Sequence, residues 1–149
     1  MEVFAAPYHP RPHAGTGVLE GLGLRAGTTP ELIAAVKRGL PTGAFTALAA
    51  ELGISEAVLA GVTGISPTTL LRRKKAGRLS PEESEHLVRI ATLLDTAARL
   101  FAGVDAGAEW LRSANAALGG ASPLAFADTE IGAREVESLL GRVELGVYS

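Results

Sequence analysis

A chain of 149 residues, 47% of them apolar, is long enough for one ordinary domain or two small ones and apolar enough to build a core. It contains no cysteine, which excludes disulfides, thiolate catalysis and cysteine-based zinc sites and fits a reducing, cytoplasmic setting. The net charge of −2 hides a division: residues 1–78 hold nine basic against five acidic side chains and residues 79–149 five against eleven, so the front half suits a polyanion and the back half a protein partner.

Residues 1–28 carry Pro7, Pro10 and Pro12 and the glycines at 15, 17, 21, 23 and 27, too many chain-breakers for a stable helix or a central strand. The stretch reads as a flexible arm. Gly21-Leu22-Gly23-Leu24-Arg25-Ala26 fits GxGxxA formally, but no β-rich strand precedes it and no long helix follows directly, so it is not a phosphate loop. The first residues lack a signal-peptide pattern, and no apolar run approaches the ~20 residues needed to span a bilayer.

From Thr29 the pattern is helical. Thr29 as cap, Pro30 at the first helical position and the stripe Leu32, Ile33, Val36 predict a helix over 30–38, ended by Gly39 and Pro41. Thr42 opens a second, 43–52, with Phe45, Leu48, Ala49 and Leu52 on one face and Gly53 as stop. Ser55 caps a third, 56–62, with Val58, Leu59 and Val62 expected inward. Ser66-Pro67 restarts the chain for a fourth, anchored by Leu70 and Leu71 and ending near Ala76 before Gly77. Two short helices joined by a tight turn at a glycine are a helix-turn-helix arrangement.

Ser80-Pro81-Glu82-Glu83 has the capping-box pattern and opens the longest helix, about 81–102. Its apolar positions form two adjacent stripes, Leu87, Ala91, Leu94, Ala98, Phe101 and Ile90, Leu93, Ala97, Leu100. An arc this wide implies burial on two sides, so the helix joins the front half to the back or lies in a dimer seam. Beyond it, Asp105 is expected to cap a helix through Ala114, Ser122-Pro123 to start a short turn, and Asp128 or Thr129 to cap a last helix ending near Glu144, with Val136, Leu139, Leu140 and Val143 on one side. No stretch alternates with period two, so the fold class is all-α.

Catalysis finds no support. The histidines are His9, His13 and His86, with neither metal-ligand spacing nor a nucleophile–base pair, so catalytic, metal and cofactor residues are all expected to be none. Five of the fourteen Lys and Arg residues fall between Arg72 and Arg78. On the fourth helix Ser66, Thr68 and Thr69 are short hydroxyls able to approach bases or phosphates, and Arg72, Arg73, Lys74, Lys75 and Arg78 supply positive charge. Cations at a helix C-terminus also complement its dipole, but here turn and charge coincide and favour DNA. The rival pair, helices two and three, offers only Glu56 as a charge on its second helix. At the other end, Val147, Tyr148 and Ser149 are an apolar, an aromatic and a small polar group of the kind that docks in a partner's pocket. Trp110 beside Leu111 reads as core or as contact.

Several motifs in one order carry a resemblance: Gly39-Leu40-Pro41, LAAELGIS from Leu48, GISPTTLLRRKKAGRLSPEESE from Gly64, then Ala108-Glu109-Trp110-Leu111, Leu118-Gly119-Gly120 with Pro123-Leu124, Thr129-Glu130-Ile131-Gly132-Ala133-Arg134 with Val136, and Leu140 through Tyr148. From about Gly39 to Ser149 the chain resembles the Xre-type antitoxins of bacterial RES–Xre toxin–antitoxin pairs, relatives of ParS and MbcA. It departs from them at Ala114, where the family often has Pro before the residue that is Asn115 here. The resemblance implies an Xre/Cro-like helix-turn-helix bundle over 29–79 that binds operator DNA and represses its own operon, a connecting helix over 80–104, and a small helical toxin-binding domain over 105–149. It implies a RES-domain toxin partner that consumes NAD⁺, covered at its active site by the antitoxin's C-terminal segment, and a homodimer within a hetero-oligomeric complex. The toxin-binding positions expected on this basis are Trp110, Arg142, Gly146, Val147, Tyr148 and Ser149. The alternative is a stand-alone helix-turn-helix regulator whose back half dimerises or senses a ligand.

Overall fold

The computed structural model describes residues 28–146; the arm expected before them and the tail positions Val147, Tyr148 and Ser149 lie outside the described residues. Among the described residues eight α-helices and one 3-10 turn follow in order: α1 Thr29–Arg38, α2 Thr42–Leu52, α3 Glu56–Thr63, α4 Pro67–Ala76, α5 Pro81–Leu100, α6 Val104–Arg112, the 3-10 turn Ala116–Leu118, α7 Pro123–Phe126 and α8 Glu130–Glu144. Among the described residues there is no β-strand, in keeping with the all-α expectation. None of these helices alone is long and apolar enough to cross a membrane.

The starts are written in hydroxyl side chains. Ser55, Ser66, Ser122 and Thr129 each accept a hydrogen bond from the backbone N–H three residues on. Ser80 and Glu83 close the full capping box at α5. Each such cap is worth about 0.5–2 kcal/mol. Three caps differ from expectation. At α2 the cap position is Pro41, with no side-chain hydrogen bond, and Thr42 is the first helical residue. At α1 it is Thr28, whose Oγ accepts from the Glu31 amide, so Thr29 is the first helical residue. At α6 the cap position is Gly103, which has no side chain to offer, and Asp105 instead sits in the first turn where its charge favours the dipole.

α5 is the axis of the molecule. Leu87, Ile90, Ala91, Leu93, Leu94 and Ala97 are buried along it, and α1, α2, α3, α6 and α8 all pack against it, α2 also packing directly on α6. The wide apolar arc of α5 is therefore covered by helices from both the front and the back of the chain. Gly107 of α6 lies directly on the α5 backbone: a Cβ there would come within 2.7 Å of the Ala98 nitrogen. Arg112 reaches from the end of α6 to the Leu52 carbonyl at 2.6 Å, placing a cation on the C-terminus of α2 and tying the back half to the front.

Two apolar side chains expected inward face out. In α3 the inward side is Leu59, Ala60 and Thr63, leaving Val58 50% exposed. Thr63 tolerates burial because its hydroxyl donates back to the Leu59 and Ala60 carbonyls. In α4 only Leu70 packs against the core, and Leu71 is 58% exposed.

Candidate nucleic-acid and partner interfaces

α3 and α4 are separated by the turn Gly64–Ser66, with Gly64 left-handed at φ 71° and Ile65 buried. By angle alone α2 and α3, bent 107° from one another, would also serve as a helix-turn-helix pair. Charge favours α3 with α4: the single charged residue of α3 is Glu56, paired with Lys74 at 2.5 Å, whereas α4 carries Arg72, Arg73, Lys74 and Lys75.

The eight expected DNA-facing residues divide into three groups. Thr68, Arg72 and Lys75 are exposed, and the 100° step of a helix puts them on one outward stripe with Leu71. Ser66 and Thr69 are tied to each other at the cap: the Thr69 amide donates to Ser66 Oγ at 3.1 Å, and that hydroxyl donates to Thr69 Oγ1 at 2.9 Å. Arg73, Lys74 and Arg78 are engaged by the fold. Arg73 forks onto Glu83 of α5 through Nε at 2.8 Å and a terminal nitrogen at 3.3 Å. Lys74 holds Glu56, which also accepts from Thr46 at 2.7 Å, so α4, α3 and α2 share one polar link. Arg78 donates to the Gly39 carbonyl at 2.7 Å.

These contacts fix the angle of α4. Arg78 lies in a bridge in which the Thr42 amide donates to Gly77 and the Leu79 amide to Leu40. The fully buried Ser84 completes it by accepting from the Leu40 amide at 2.8 Å. Burial of Glu83 would raise its carboxyl, but the Arg73 guanidinium and the Ser80 amide and hydroxyl together hold it below the ordinary value. Glu56 is likewise lowered, first by Lys74 and then by Thr46. His86, one turn further along α5, has Nε2 buried without a hydrogen-bond partner among the described residues. Burial and then Arg89 push its imidazole down, against the backbone of Ala127 and Thr63 and the charge of Asp128. Among the described residues no cluster of three or more His, Asp or Glu is placed to hold a metal ion.

At the opposite end, Trp110 stacks on Phe101 with ring centroids 5.5 Å apart and is only partly exposed, so it serves the α5–α6 corner as much as any surface. Arg142 is half-exposed on α8 with Glu135 at 3.9 Å, and Gly146 follows at φ 72°. Sequence reasoning missed Ile131, which is 83% exposed, and Leu145, 48% exposed. The signal was present, because on a helical wheel both fall with Arg142 on the side of α8 opposite Val136, Leu140 and Val143.

Two family models match successive parts of the chain. Residues 31–91 match the antitoxin Xre-like helix-turn-helix domain, and residues 96–146 match the antitoxin Xre/MbcA/ParS C-terminal toxin-binding domain. A protein named antitoxin Xre from Yersinia enterocolitica is 36% identical over 145 residues, covering 95% of this chain and 98% of its own. Another antitoxin Xre, from Photorhabdus laumondii, is 29% identical over 130 residues, covering 86% and 88% respectively.

Proposed function

The chain belongs to the antitoxin Xre family, and from that membership we propose that it neutralises a RES-domain, NAD⁺-consuming toxin by covering the toxin's active site while repressing its own operon. The observation that supports this most strongly is the match of a helix-turn-helix domain to residues 31–91 and of a toxin-binding domain to residues 96–146, the two meeting within α5. The assigned parts are 29–79 for DNA, 80–104 as connector and 105–149 for toxin, with the chain acting in the cytoplasm as a homodimer inside a larger complex. The NAD⁺ chemistry belongs to the partner.

On the DNA side, Thr68, Arg72 and Lys75 meet the groove directly, Ser66 and Thr69 shape the helix start, and Arg73, Lys74 and Arg78 contribute positive potential while holding α4 in place. On the toxin side, the outward face of α8 with Ile131, Arg142 and Leu145 docks the partner, with Trp110 supporting the corner behind it. Gly146, Val147, Tyr148 and Ser149 then enter the cleft, and Tyr148 is the anchor, worth about 2 kcal/mol or more on truncation. The test is to delete residues 146–149 and measure NAD⁺ hydrolysis by the reconstituted complex. Loss of inhibition with the complex still assembled is the expected result; full inhibition by the truncated chain refutes the plug.

A further inference from the structure

We propose that Leu71 reads a base: its side chain packs on the 5-methyl group of a thymine in the major groove and sets sequence preference at one position of the operator. The inference rests on α4 being the DNA-facing helix. Leu71 is 58% exposed, and the adjacent Leu70 already supplies the apolar anchor of α4 to the core. Of the ion pairs that hold α4, Arg73 to Glu83 leaves from the side nearly opposite Leu71, and Lys74, three positions after it, is engaged with Glu56.

A lone exposed leucine is ordinary on a protein surface and by itself needs no explanation. Here its neighbours on the stripe specify the occupant. Thr68 precedes it by three positions, Arg72 follows it and Lys75 lies one turn beyond, all exposed, so any surface that meets Leu71 also meets two cations and a hydroxyl. That set complements a polyanion. Every base pair presents donors and acceptors in the major groove, but the apolar group there is the thymine methyl. A side chain with neither donor nor acceptor contributes to reading at that group, whereas Arg72 and Lys75 reach guanine edges or phosphates.

The experiment uses the full-length chain and a duplex that it selects from a random-sequence pool. Each thymine of that duplex is replaced singly by 2′-deoxyuridine, which removes the methyl and keeps the pairing. One position, or two related by symmetry, should weaken wild-type binding about fourfold, the worth of one methyl taken out of water. Leu71→Ala should lose the sensitivity at that position alone, with its melting temperature unchanged. A flat uracil scan, or the same sensitivity in Leu71→Ala, overturns the proposal and leaves DNA binding by α4 standing. Failure to select any duplex overturns the reading of α4 and the proposal with it. A variant that binds DNA as wild type but releases its co-purified protein partner also overturns it, making Leu71 a protein contact.

Discussion

Gly107→Ala sets two effects of opposite sign against each other. Helix propensity favours alanine over glycine in a helix interior by about 1 kcal/mol, so on an isolated α6 the change would stabilise. In the folded chain the new Cβ meets the Ala98 nitrogen at 2.7 Å, the Ala97 carbonyl carbon at 2.9 Å and the Ala98 Cα at 3.0 Å, all of them backbone. Optimal separations are about 3.5–4.0 Å, so α5 and α6 must part by roughly 0.5–1 Å. The buried Ala97, Ala108 and Leu111 lie along that seam and lose packing with it. Overpacking of this kind costs about 1–3 kcal/mol, and loosening the seam adds to it. The net expectation is destabilisation by about 1–2 kcal/mol and a fall in Tm of roughly 2–8 °C. Gly141→Ala in α8 is the control, because nothing lies within 4 Å of its added Cβ; it should stabilise by up to about 1 kcal/mol. Urea and thermal unfolding of the full-length variants measure both. If Gly107→Ala is as stable as wild type, the close approach of α5 and α6 is wrong.

Ser84→Ala strands the buried Leu40 amide and should cost about 1–3 kcal/mol in urea unfolding, more than a surface serine. Glu83 has a lowered folded-state pKa, so its stabilisation is present above the ordinary 4.5 and lost as pH falls through the lowered value; Glu83→Gln should flatten that part of a Tm-against-pH curve. His86 is also lowered, so its contribution is present above 6.5 and is lost on acidification below it, and His86→Phe should remove that earlier slope. Arg72→Ala with Lys75→Ala should reduce the slope of log affinity for operator DNA against log salt by about 0.9 per phosphate contact removed, at unchanged Tm. An unchanged slope means that α4 presents another face.

The helices were legible because their boundaries are local. A hydroxyl before a proline, a glycine after the last apolar turn and a capping box need no tertiary knowledge, and the Ser66, Ser80 and Ser122 starts are where those residues place them. Apart from caps displaced by a residue or two, at Thr28, Pro41 and Gly103, the errors fall where the outcome depends on a distant partner. Val58 and Leu71 are apolar residues at helical spacing, and only the packing of α3 and α4 on the core decides that Thr63 goes inward in place of Val58 and that of the two expected anchors Leu70 alone is covered. The basic cluster was legible as a cluster but not in its division. Arg73 meets Glu83 across the loop to α5, Lys74 meets Glu56 eighteen residues earlier, and Arg78 meets a carbonyl thirty-nine residues earlier. No periodicity within α4 encodes those pairings.

The proposed function requires this chain to silence a toxin, here sought in the neighbouring reading frame. The most direct measurement is the NAD⁺ content of cells that express the neighbouring reading frame alone and together with this chain. Depletion by the neighbour alone, and recovery when the chain is present and co-purifies with it, is the expected result. NAD⁺ that stays depleted while the two proteins co-purify contradicts neutralisation, and NAD⁺ that is never depleted by the neighbour contradicts the RES-type partner.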